Sequence, residues 1–209
     1  TIQAVMDGCE CEYAQVYLSG KTNYRNEFSD SYKANRSGTA KPVHFEAIRQ
    51  CMIEEMDAIV SDGEEADDLL GIAAVQKGWG IASLDKDLKG VPGWHYIWKG
   101  KNAGSFFVTE EEADRFFYTQ LITGDSTDNI QGLFNRTGKK AMPKVKDPLE
   151  AMTTPDEMYS YVYQVYADAV EEAKMSSDED DIKRWLLDQG RLLWIRRDEG
   201  QIWSPPDGT

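Results

Sequence analysis

Short β-rich runs alternate with segments of helical apolar spacing along the first 123 residues. Tyr13 to Leu18 is β-rich and stops at the turn signal Ser19-Gly20, which predicts a short strand. Pro42 opens a helical pattern that places Val43, Phe45, Ile48, Met52, Ile53 and Met56 on one face, expected to be buried. Residues 58–60 read as a strand, and Glu65 starts a second helix through Leu69, Leu70, Ile72 and Val75 that breaks at Gly78 to Gly80. Ile81 to Leu84 is short, apolar and bounded by turn residues, the pattern of a buried strand. Trp94 to Trp98 and Phe106 to Val108 read as further strands. Thr109 is an expected N-cap for a helix running through Phe116, Phe117, Leu121 and Ile122. Strands alternating with helices predict an α/β fold, a mainly parallel central sheet flanked by helices, over residues 1–123. Residues 124–209 read as a helical region, with Trp185, Leu186, Leu192, Leu193 and Trp194 as core candidates.

Composition narrows the class. The chain of 209 residues is 41% apolar and contains six tryptophans, enough for a folded core. Its apolar stretches fall far short of the roughly 20 residues needed to cross a bilayer. Neither a basic start nor a long apolar run marks a secretion signal, so a soluble, cytoplasmic protein without a membrane partner is expected; the sequence does not fix the oligomeric state, for which a monomer is the expectation. Cys9, Cys11 and Cys51 give an odd count, which favours a reducing compartment, and no second Cys or His pair completes a zinc site. The acidic run Ser176 to Asp181 reads as a solvated loop or helix start. A net charge of −14 argues at first sight against a polyanionic partner, but recognition depends on where positive charge is placed.

Candidate chemistry lies in three carboxylate clusters, each at the edge of an apolar segment: Glu65, Asp67 and Asp68; Asp85 and Asp87; Asp125 and Asp128. Each has a plain structural reading as helix-start or turn acids. Their coincidence at element ends points instead to hard oxygen ligands for divalent cations, Mg²⁺ with Mn²⁺ able to substitute. Two ions about 3.5–4 Å apart would clamp the attacking and leaving oxygens of a phosphoryl transfer. Two basic segments accompany them. Residues 21–41 carry Arg25, Lys33 and Arg36 among aromatics, and the three-residue spacing of Lys33 and Arg36 would present both to one phosphate from a helical turn. Gly132 to Lys140, with Arg136, Gly138, Lys139 and Lys140, would offer backbone N–H groups and lysines to a nucleic-acid backbone.

In order, NYRNEF, YKANR, EEADDLLG, SLDKDL, GDSTDNIQGL and GKKA resemble the 5′-nuclease superfamily of flap endonucleases and 5′→3′ exonucleases, above all its bacteriophage exonuclease branch. The resemblance runs from about residue 13 to 145. It implies a metal-dependent hydrolase that releases nucleotides from DNA 5′ ends at duplex ends, flaps or nicks, with action on RNA–DNA hybrids in many relatives and roles in primer removal and host-DNA degradation. The seven carboxylates would then hold two Mg²⁺ ions, and Lys33 and Arg36, at the base of an arch over 21–41, would position the scissile phosphate. Residues 132–140 would match a helix–hairpin–helix-like duplex grip. The family's first strand, with its aspartate, has no counterpart here, so an N-terminally truncated chain with an incomplete metal set and impaired cutting is expected. Three rivals stay open: a non-catalytic DNA-binding module, a PIN-like ribonuclease and a purely structural acidic protein.

Overall fold

A computed structural model describes residues 2–36, 38, 40–133, 147–173 and 178–206. Its contacts divide the chain into two units. Unit 1 comprises Thr1–Tyr24, Arg36–Thr109 and Ile195–Gln201; unit 2 comprises Arg25–Asn35, Glu110–Trp194 and Ile202–Thr209. The division differs from the boundary expected after residue 123: the helix from Glu110 packs in the second unit with the later helices, and Ile195–Gln201 returns to the first.

Unit 1 is the α/β part. Helix α1 (Ile2–Gly8) precedes β1 (Tyr17–Leu18), and α2 (Phe45–Glu55) connects it to β2 (Ile59–Val60). β1 and β2 pair in parallel, Tyr17 opposite Ile59 and Leu18 opposite Val60. α3 (Ala66–Lys77) is rich in alanine and leucine, carries acids in its first turn, and ends on Gly78 at φ 67°, a left-handed cap that glycine adopts without strain. It leads to β3 (Ile81–Ala82), and after a 3-10 turn over Asp87–Gly90 come β4 (Gly93–Ile97) and β5 (Gly104–Val108). β3 and β4 are parallel, whereas β4 and β5 are antiparallel. The chain is thus α/β as expected, with its strands in two small sheets, one parallel and one mixed. The antiparallel pair follows from the connection: six residues, 98–103, suffice for a hairpin, while a parallel return needs a crossover. Leu70, Ala74, Ile81, Leu88, Val91 and Ile195 pack together, with Val91 fully buried. Each fully buried Ile, Leu or Val side chain there contributes about 1.5–3 kcal/mol.

One expectation fails in this unit. The apolar stripe of α2 is not buried: Val43 is 95% exposed, Ile48 54%, and no α2 residue is fully covered among the described ones. Periodicity identifies side chains that share a face, but it carries no information on what lies against that face.

Unit 2 is helical. α4 (Glu110–Thr123), α5 (Pro155–Glu172) and α6 (Glu179–Leu193) pack on one another around Phe117, Leu121, Met158, Val162, Tyr166 and Leu186. Trp185, Leu186, Leu192 and Trp194 are buried as the sequence predicts, and Leu193 is partly so. α5 starts at a capping box: Glu157 N–H donates to the Thr154 hydroxyl at 3.3 Å, and the Glu157 carboxylate accepts from the backbone of Thr153 and Thr154. Those N–H donors, Thr153 first, hold the Glu157 carboxyl below its ordinary pKa. Asp178, in the acidic run, caps α6. Gly190 meets the Trp203 ring so closely that an added Cβ would stand 2.1 Å from it.

Candidate functional site

In unit 1 the first carboxylate cluster is fixed by the ends of β1 and β2. The Ser19 hydroxyl, just past β1, accepts the Ala66 N–H at 3.0 Å, and the Ser61 hydroxyl, just past β2, donates to the Glu64 carbonyl at 2.6 Å. Gly20 is required by this closeness, because a Cβ there would lie 2.0 Å from the Ser61 carbonyl oxygen. Glu65 becomes the N-cap of α3, and Asp67 and Asp68 occupy its first turn, where the helix dipole favours negative charge. Asp67 is half-buried. Asp68 is fully buried, with one oxygen accepting the Glu65 N–H at 3.0 Å and the other the Arg196 N–H at 3.1 Å. Both oxygens therefore serve backbone donors, which gives Asp68 a structural part beside its expected place among the metal ligands. Arg196 also pairs with Glu64 at 2.9 Å and lies 3.9 Å from the centre of the Tyr24 ring.

Asp85 and Asp87 follow β3. Asp85 is exposed on a turn, its N–H donating to the Ser83 hydroxyl and one oxygen accepting the Asp87 N–H, each at 3.0 Å. Asp87 opens the 3-10 turn and pairs with Lys86 at 3.0 Å. Both clusters of unit 1 stand just beyond the carboxyl ends of strands, the position at which α/β sheets place ligands.

In unit 2 the structure brings two motifs of the sequence together. The loop 124–132 is closed by two glycines back to back: Gly124 has φ 68° and Gly132 φ 58°, and a Cβ on Gly132 would lie 2.3 Å from the Gly124 nitrogen. Asp125 and Ile130 exchange backbone hydrogen bonds across it, at 2.9 and 2.7 Å, and the buried Asp125 carboxylate accepts the Thr127 N–H at 2.7 Å. Residues 31–35 lie along this loop. The Lys33 ammonium is 3.3 Å from the Asp128 carboxylate, whose same oxygen accepts the Tyr32 hydroxyl at 3.2 Å. Asn35 donates to the Ser126 and Thr127 carbonyls, and Asn129 to the Ser31 carbonyl. Lys33 has φ 55° and precedes the 3-10 turn Ala34–Arg36, so it is not on a helical turn with Arg36, which ends that turn exposed.

Arg25 is a correction. It is 2% exposed, and its guanidinium donates to the Leu192 and Trp194 carbonyls, satisfying the C-terminal end of α6. A group so covered cannot contact DNA. Gly132 gives its N–H to the Gln189 side chain at 3.0 Å, while Arg136, Gly138, Lys139 and Lys140 lie outside the described residues. The YKANR motif contains Tyr32 and Asn35 without giving them a role of their own, and Arg196 is marked in the sequence only by its neighbour Arg197 after the final helix.

The oxygen-only donor set is of the type that suits Mg²⁺ or Mn²⁺. Among the described residues no group of three or more His, Cys, Asp or Glu that could hold a metal ion is found. Asp68, Asp87 and Asp128 each accept from protein donors, as above, and keep further lone pairs on their carboxylates. No described helix is long and apolar enough to cross a membrane.

No protein-family model matches the chain. It is 36% identical over 126 residues to the exodeoxyribonuclease of Enterobacteria phage T3 and, at the same identity and length, to the exonuclease of Escherichia phage T7. Each alignment takes in 56% of this chain and 41% of the phage protein. A looser likeness, with a TM-score of 0.46 and 15% identity over 92% of this chain and 89% of the other, is to the crystal structure of T5 D15 protein co-crystallised with metal ions. The chain spans about two fifths of the length of the T3 and T7 proteins, and over that stretch it is a sequence relative of the phage exonucleases.

Proposed function

We propose that this chain is the nuclease part of a 5′→3′ exonuclease or flap endonuclease that hydrolyses phosphodiester bonds at DNA 5′ ends, with RNA–DNA hybrids as a second substrate. The observation that carries this reading is the 36% identity over 126 residues to two phage exonucleases. The geometry supports it at one point in particular: the YKANR and GDSTDN motifs, 90 or more residues apart, lie against each other in unit 2 through Lys33, Asn35 and Asp128. Lys33 would release Asp128 to meet a phosphate, and Arg36 would bind the same backbone with its planar fork. In unit 1 the candidate ion ligands are Glu65, Asp67, Asp68, Asp85 and Asp87, and in unit 2 Asp125 and Asp128. Divalent ions, Mg²⁺ with Mn²⁺ as a substitute, would when bound activate water and stabilise the leaving oxygen.

Incubation of the chain with 5′-labelled duplex DNA and Mg²⁺ tests the proposal. Nucleotide release that EDTA stops, and that Asp85→Ala lowers by about a hundredfold or more, is expected, the order of loss seen when one group stabilising transition-state charge is removed. Absence of turnover with retained DNA binding would replace it with a second reading, a DNA-binding module without hydrolysis.

A further inference from the structure

A cavity of about 380 Å³ in unit 1 lies between the 3-10 turn Asp87–Gly90 and the tip of the β4–β5 hairpin. Four lysines line it, Lys86, Lys89, Lys99 and Lys101, in a chain with 23 basic residues against 37 acidic ones. One carboxylate, Asp85, faces them. Lys86 is held by Asp87 at 3.0 Å, whereas Lys99 and Lys101 stand exposed on the hairpin tip with no carboxylate partner among the described residues. Gly100 and Gly104, at φ 96° and 136°, leave the tip backbone open, with no atom within 4 Å of where a side chain would start. The rest of the lining includes an apolar part, Leu84, Ile97 and Phe106, the last stacked on buried His95 at 5.3 Å between ring centres and 5.9 Å from the Lys89 ammonium. Burial holds the His95 imidazole below its ordinary pKa, so at neutral pH the positive charge of the cavity belongs to the lysines.

Ammonium groups that line one cavity repel each other, and an anion among them offsets that repulsion. The volume falls in the range of small-ligand sites, roughly 300–1,000 Å³. A lining part cationic and part apolar matches an amphipathic ligand with a phosphate at one end and a flat or furanose body at the other. We infer that this cavity binds a nucleoside 5′-phosphate, as a free mononucleotide or as the 5′-terminal nucleotide of a strand. The choice of a nucleotide among phosphorylated ligands rests on the nuclease reading; the charge, size and wall of the cavity do not.

Isothermal titration of the full chain in EDTA, with deoxythymidine 5′-monophosphate, thymidine and inorganic phosphate as probes, tests the assignment. The monophosphate is expected to bind and thymidine to bind at least about tenfold more weakly. The double substitution Lys99→Gln with Lys101→Gln should weaken monophosphate binding by about tenfold, since each exposed ion pair accounts for up to about a factor of five. Lys183→Gln, on α6, should leave it unchanged. A 5′-phosphorylated dinucleotide that binds as tightly as the monophosphate assigns the cavity to strand ends, and one that binds far more weakly assigns it to the free nucleotide. Binding that survives the double substitution, or inorganic phosphate bound as tightly as the monophosphate, overturns the inference. DNA cleavage measured on the same preparations separates the two readings: cutting without nucleotide binding refutes the cavity alone, and lysine-dependent nucleotide binding without cutting refutes the nuclease alone.

Discussion

Removing the Asp68 carboxylate would strip two backbone N–H groups, those of Glu65 and Arg196, of their acceptor at a fully buried position. Leaving a buried donor unsatisfied costs about 1–3 kcal/mol, so Asp68→Ala is expected to lower the unfolding free energy by about 2–5 kcal/mol. Asp85→Ala, on an exposed turn, should change it by less than about 1 kcal/mol. Urea denaturation of both variants distinguishes them, and equal effects would contradict the structural role given to Asp68. Arg25 makes the same point with the opposite charge. Next to Tyr24 and Asn26 it has the local setting of a phosphate contact, yet its partners are the carbonyls of Leu192 and Trp194, more than 160 positions away. Nothing within a window of sequence around Arg25 carries that information.

Among the elements, the loop 124–132 depends most sharply on single residues. Gly124 and Gly132 both have positive φ and face each other's backbone. Gly132→Ala adds left-handed strain of about 1–2 kcal/mol to a backbone clash, so a loss of at least about 2 kcal/mol in thermal or urea unfolding is expected. The loop also holds Asp125 and Asp128, so the variant should lose any DNA cleavage as well. The helices α3, α4 and α6 were legible because their signals are local: capping acids, a terminating Gly78, apolar spacing. The direction of β5 was legible too in principle, since the six residues before it hold no helix. The uncovered face of α2 was not, because burial is a property of what packs against a stripe. The meeting of Lys33 with Asp128 was equally beyond local pattern, although both residues stood out for their chemistry.

The whole molecule carries a net charge of −14, and self-repulsion of that size weakens the compact state. Raising NaCl from about 20 mM to about 200 mM shortens the screening length from about 20 Å to about 7 Å. A gain in melting temperature of about 2–4 °C is expected, the shift that about 1 kcal/mol produces in a chain of this size. A fall in melting temperature would mean that attractive pairs such as Lys33–Asp128 and Arg196–Glu64 outweigh the repulsion.

The two units are interleaved in sequence, and the return segments come late. Ile195–Gln201 brings the Arg196 N–H to Asp68 in unit 1, and Trp203 lies against Gly190 and Phe117 in unit 2. As the chain leaves a ribosome, N-terminus first, unit 1 therefore lacks Ile195 and unit 2 lacks Trp203 until those residues have cleared the exit tunnel. Completion of both cores thus waits for these late segments, with the apolar faces of α3 and α4 open to chaperones until they arrive.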